Sequence, residues 1–221
     1  MKKALILLVL SIFISGAAYA MDMSKHIGFG AWAGGVMPVN GKIKPNDKLS
    51  DWYGMYGFPA VEIKYVIIDK VAVGANLGYM YMPIKDDKKP EGMKDLTPAL
   101  NMPFVSINGT FNFGPMMKDK ENKLNPFVTA GVGMYMWYFS ENQRTGKQLA
   151  ANGEEAKASS LGINGGAGVE YFAAEKLGVF GRLNYHYVMM KNKDKFGPDF
   201  TDQGFLTFGA GVTYYLFAGK K

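Results

Sequence analysis

The feature that most restricts this chain is an every-second-residue alternation of apolar and polar side chains, sustained over runs long enough to cross a membrane. In residues 102–113, Val105, Ile107, Gly109, Phe111 and Phe113 fall on one face, and Ser106, Asn108, Thr110 and Asn112 on the other. Residues 159–172 set Leu161, Ile163, Ala167, Val169 and Tyr171 against Ser160, Gly162, Asn164, Gly166, Gly168 and Glu170. Residues 176–190 set Val179, Leu183, Tyr185, Tyr187 and Met189 against Phe180, Arg182, Asn184 and His186. In 203–217, Leu206, Phe208, Ala210, Val212, Tyr214 and Leu216 oppose Thr207, Gly209, Gly211 and Thr213. A period of two belongs to a strand with unlike faces. Glycine at alternate positions, as in Gly28-Phe29-Gly30 and Gly209-Ala210-Gly211, costs a helix about 1 kcal/mol each. In a strand it suits a face crowded by neighbouring backbone.

Eight segments carry this pattern, near 25–37, 56–67, 70–82, 102–113, 125–138, 159–172, 176–190 and 203–217. Each reaches the roughly 9–11 residues that a tilted membrane strand needs. Asp69 with its neighbours and Ala173-Ala174-Glu175 make tight links, and 114–124 is a longer one. The links 38–55, 83–101, 139–158 and 191–202 are long and polar. Short turns at one end and long loops at the other predict an all-β fold: an eight-stranded antiparallel transmembrane up-and-down β-barrel. Both termini then lie in the periplasm and the long loops outside.

The N-terminus agrees. Lys2-Lys3, the apolar run Ala4–Ile14 and Ala18-Tyr19-Ala20 have the order of a secretory signal peptide. The expected division is residues 1–20 as a cleaved signal and 21–221 as one outer-membrane barrel domain. The signal holds two of 25 basic residues and none of 19 acidic ones, leaving 23 against 19, or +4. That excess is spread out, which gives nucleic-acid binding no support. Cysteine is absent, so no disulfide and no lipid-bearing N-terminal Cys is expected. The sequence after residue 20 holds no apolar run of the ~20 residues of a membrane helix.

Three stretches carry a family resemblance: Asn125–Gly133, Gly165–Tyr171 and Phe208–Tyr215. With the strand pattern over residues 21–221, they resemble the small outer-membrane β-barrel superfamily of the OmpA transmembrane domain, OmpX and OmpW-like porin-family proteins. The resemblance implies a Gram-negative outer-membrane location, contact with outer-membrane lipids and lipopolysaccharide, and assembly by the barrel-assembly machinery. No periplasmic anchoring domain is expected, because the last segment runs to within four residues of the sequence's end. One departure is the ending: Phe217 is followed by Ala218-Gly219-Lys220-Lys221, where such barrels end on an aromatic residue. Counting in twos puts Leu216 outward, so either this ending is tolerated or the strand shifts by one.

An eight-stranded barrel is just wide enough to be filled by side chains. The inward candidates Glu62, Lys64, Glu170 and Arg182 sum to zero charge, as buried charges must unless they are left unpaired at great cost. A lumen network of these four is expected, with Asn184, His186, Asn76, Asn108, Asn112 and Asn164 around it. The resemblance implies the same, since related barrels hold lumen ion pairs. Trp52, Tyr53, Tyr56, Tyr79, Tyr81, Trp137, Tyr138, Phe139, Tyr185, Tyr187, Tyr214 and Tyr215, near segment ends, are expected in the interfacial aromatic girdles. His26 and His186 are far apart in the sequence and no cysteine accompanies them. Hence no catalytic residue, metal site or cofactor is assigned. The leading expectation is a non-enzymatic structural barrel or narrow porin-like pore. Adhesion or partner binding through loops 83–101 and 139–158 is second, and a lipid A-modifying enzyme a distant third.

Overall fold

The computed structural model describes residues 25–68, 70–89, 91–113, 123–143, 146, 153–174, 176–191, 193 and 200–217. The expected signal segment 1–20, most of link 114–124 and the tail Ala218–Lys221 lie outside these. In chain order the elements are β1 (His26–Asn40), β2 (Lys42–Lys44), β3 (Asp47–Lys48), α1 (Leu49–Trp52), β4 (Tyr56–Ile68), β5 (Val71–Pro83), β6 (Ala99–Asn112), β7 (Leu124–Ser140), β8 (Lys157–Ala174), β9 (Leu177–Met189) and β10 (Gln203–Phe217). Eight of the strands form a closed barrel in the order β1-β10-β9-β8-β7-β6-β5-β4, antiparallel throughout. The segments read from the alternation coincide with these strands to within about three residues at each end.

Closure removes every sheet edge, as a wall without water on its outer side requires. Outward positions are apolar and bare: Ile107 is 67% exposed and Val132 61%. An apolar surface of this extent belongs against lipid. β7 and β8, at 17 and 18 residues, exceed a single crossing, so their outer ends stand clear of the bilayer. β10 keeps its register through to the pair His26–Phe217, with Tyr215 inward and Leu216 outward, so no one-residue shift occurs at the chain's end.

The lumen is layered. Its outer third is an apolar core of Val36, Phe58, Met80, Met82, Leu100, Met102, Tyr135, Trp137, Val188 and Phe205. The first outer loop folds over this core. Gly41 adopts φ +106° to turn the chain out of β1, β2 and β3 pair, and α1 lays Leu49 and then Tyr53 into the mouth. The middle third is polar and charged. A small cluster of Val66, Ala72 and Tyr215 closes the opposite end, where β1 begins and β10 ends.

Candidate functional site in the lumen

The middle layer contains all four charged residues selected from the sequence. Each sits at an inward position of its strand: Glu62 and Lys64 on β4, Glu170 on β8, Arg182 on β9. Arg182 Nη2 donates to Glu62 Oε2 at 3.1 Å. Lys64 Nζ lies 3.3 Å from Glu170 Oε2, 3.4 Å from Oε1 and 4.0 Å from Glu62 Oε1. The result is one chain of alternating charge, Arg182–Glu62–Lys64–Glu170. Two aromatic residues complete it. The Tyr215 hydroxyl is 2.8 Å from both oxygens of Glu170, and the Arg182 guanidinium lies over the Trp32 ring, 4.1 Å from its centroid. A guanidinium against an aromatic face is well placed where water is scarce.

Above the charges, His186 is held from both sides. Nδ1 is 2.9 Å from the Tyr135 hydroxyl and Nε2 is 3.0 Å from Thr207 Oγ1. Asn184 lies one turn of the pleat below it on β9 and, with Asn76, Asn108 and Asn164, lines a space of about 10 Å³ against Arg182. A neighbouring space of about 20 Å³ lies between Glu62, Lys64, Asn112 and Thr129. Each has room for about one water molecule. Among the described residues, no group of three or more His, Asp or Glu could hold a metal ion.

Sequence reasoning missed Trp32 as a member of this site and expected Tyr215 in the girdle instead. The signal for both was parity: Tyr215 follows the inward Gly211 and Thr213, and Trp32 follows the inward Gly28 and Gly30.

Four girdle assignments need correction, two of them Tyr53, which packs in the mouth core, and Tyr215, which points into the lumen against Glu170; the other two are tryptophans. Trp137 is inside the barrel, 1% exposed, with its Nε1–H donating to Ser160 Oγ at 2.9 Å. It shares the inward parity of Thr129 and Tyr135, which outweighs its place near a strand end. Trp52 is on α1 rather than on the wall, packed against the mouth core, with Lys44 4.7 Å over its ring. Of the other tyrosines, Tyr185 and Tyr214 are outward and exposed, whereas Tyr79, Tyr81, Tyr138 and Tyr187 are outward and half-buried. The Tyr79 and Tyr138 hydroxyls meet 3.4 Å apart, and that of Tyr79 also donates to the buried Asn101. Tyr187 donates to Asp202 Oδ2 at 3.1 Å at the outer rim. Burial pushes the Asp202 carboxyl up, but hydrogen bonds from Lys193, Tyr187 and the Met190 amide outweigh it and hold the group below the ordinary carboxylate value.

The ladder between β4 and β5 is incomplete. The β4–β5 ladder runs up to Ala60–Gly78 and stops, where Pro59 has no N–H to give. Above it, Tyr56–Pro59 pairs with β1 and Tyr79–Pro83 with β6, until a bridge between Tyr53 and Ile84 rejoins the two sides. An open apolar groove of about 650 Å³ covers the lower end of this gap on the lipid side, lined by Ala33, Pro59, Val61, Leu77, Tyr79 and Pro103.

No family model and no curated protein matches the sequence. Solved structures do match. Neisserial surface protein A is similar over 86% of this chain and 94% of its own, with 13% identity and a TM-score of 0.52. OprG from Pseudomonas aeruginosa is similar over 89% and 98%, with 13% identity and a TM-score of 0.50. The N-terminal β-barrel domain of Pseudomonas aeruginosa OprF matches over 89% and 100%, with 15% identity and a TM-score of 0.47. Closed eight-stranded topology, an apolar outer wall and the first two of these likenesses agree: the chain has the fold of the small outer-membrane β-barrels.

Proposed function

We propose that this is a non-enzymatic integral protein of the bacterial outer membrane whose lumen is a plug and not a pore. The observation that carries the reading is the double seal: Met80, Met82, Met102 and Tyr135 are fully buried in the outer layer, and among the described residues the charged layer beneath encloses spaces of about 20 and 10 Å³. A hydrated ion needs far more room, so a narrow conduit would require both layers to rearrange together. The ion pairs act here as filler that matches the barrel's polar inner wall. Lipopolysaccharide around the outer loops and the barrel-assembly machinery are the partners on this reading. Refolded protein in a planar bilayer is expected to be electrically silent.

The β4–β5 gap favours a second reading, capture of an apolar molecule from the bilayer. Methionines adapt readily to such guests, and Met80 and Met82 line the inner side of the gap. In protein bearing Trp52→Phe and Trp137→Phe, bromododecane is expected to quench Trp32 emission saturably, and Ala33→Phe to abolish the saturable part. Quenching that stays linear with bromododecane in the bilayer would discard this reading.

A further inference from the structure

The charge of the sequence is distributed unevenly between its links. Within residues 21–221, the lumen pairs cancel and the links 38–55, 83–101, 139–158 and 191–202 hold 13 basic against 12 acidic residues. The segments 21–25, 69–70, 113–123, 175–176 and 218–221 hold eight lysines against five carboxylates, a net +3 of the total +4. Four of those lysines are arranged regularly. Every strand that rises from the periplasm is preceded by one: Lys25 before β1, Lys70 before β5, Lys123 before β7 and Lys176 before β9.

Each is tied by one backbone bond to the neighbouring descending strand. Lys25 N–H donates to the Val66 carbonyl at 2.7 Å. Asn112, Phe172 and Tyr215 N–H donate to the carbonyls of Lys70, Lys123 and Lys176 at 2.8, 3.1 and 2.8 Å. The bonded residue in each case adjoins an outward aromatic: Tyr65 beside Val66, Phe111 and Phe113 beside Asn112, Tyr171 beside Phe172, Tyr214 beside Tyr215. A lysine with an adjacent interfacial ring is thus repeated four times around one rim.

We propose that this collar binds the phosphodiester headgroups of the periplasmic leaflet and selects anionic phospholipids over zwitterionic ones. The rings sit at headgroup depth, and lysine stems of this length carry the ammonium outward to the phosphate layer. A cation next to an anionic lipid surface is favoured enough to bias which lipid occupies the site. The four long links, with a net charge of +1 in the sequence, carry no comparable excess. The proposal rests on the membrane-spanning reading, and the test separates the two.

Full-length mature protein is refolded into vesicles of phosphatidylcholine containing trace spin-labelled phosphatidylglycerol or phosphatidylcholine. Its heat-dependent gel shift reports insertion and folding independently of lipid preference. The motionally restricted lipid fraction is expected to favour phosphatidylglycerol by roughly five-fold, as one lysine–headgroup contact provides, and 0.5 M NaCl should weaken it. Changing Lys25, Lys70, Lys123 and Lys176 together to Gln should remove the preference. The same charge change at the outer residues Lys88, Lys94, Lys157 and Lys191 should leave it intact. A folded wild-type protein without preference, or one whose preference follows the outer set, overturns the proposal, including the case in which an acidic protein is the collar's true partner. Failure of the gel shift would instead count against the membrane-barrel reading.

Discussion

Replacing Arg182 with methionine is expected to lower the unfolding free energy by about 3 kcal/mol, the low end of the range for breaking a buried ion pair by removing one partner. Methionine keeps much of the volume, so the loss is electrostatic: Glu62 loses its 3.1 Å partner and stays buried. The loss is held to the low end because Lys64 remains 4.0 Å away, although Lys64 then serves two carboxylates. Adding Glu62→Gln to this variant restores neutrality and should recover more than about 1 kcal/mol of the loss, as expected of residues coupled in one network. Urea titration of refolded protein in vesicles measures these two variants and Glu62→Gln alone. Additive single effects would mean that the pairs do not form one network.

Gly34→Ala is expected to cost more. Gly34 faces Gly209 across the β1–β10 seam, and a Cβ on Gly34 would lie 1.9 Å from the Phe208 carbonyl oxygen and 2.5 Å from Gly209 Cα. Both obstacles are backbone, so no rotamer change relieves them. The two strands must separate locally at the seam where the chain's first and last strands close the barrel. Overpacking that moves backbone costs about 3 kcal/mol or more, and much of the protein should fail to reach the compact, heat-shifted form. Gly109→Ala is the control. Its added Cβ approaches the Ala130 carbonyl at 3.9 Å, an ordinary contact on the lipid side, and folding should be unchanged.

The barrel itself was legible because its rule is local. Lipid tolerates only apolar side chains and side-chain direction alternates without exception along β6, so Val105 and Ser106 declare their faces from sequence alone. The charged candidates were legible for the same reason: an ionised residue at an inward position has to find a partner within the lumen. Which partner it finds is not local. Arg182 and Glu62 are 120 residues apart, and their pairing depends on the strand order and shear that bring β9 and β4 across the lumen. Trp137 shows a rule misapplied, since position near a strand end was allowed to outweigh a parity already visible in Thr129 and Tyr135. The apolar outer layer was not anticipated because part of it, Leu49 and Tyr53, comes from a loop that folds back into the mouth. The gap between β4 and β5 had one visible cause, Pro59, but proline is tolerated elsewhere in this wall, as Pro126 in the β7–β8 ladder shows. The lysine collar was in the sequence throughout, hidden among 23 basic residues until the strand starts showed that each rising strand is preceded by one.

The sealed lumen is tested most directly by single-channel recording of the mature protein in a planar bilayer, after a heat-dependent gel shift has verified folding. The wild-type barrel is expected to give no discrete conductance steps at any applied voltage that the bilayer withstands. Discrete steps from folded protein that change in size when Arg182 or Glu170 is neutralised would mean that ions pass through the charged layer, and the plug would have to be given up for a gated pore.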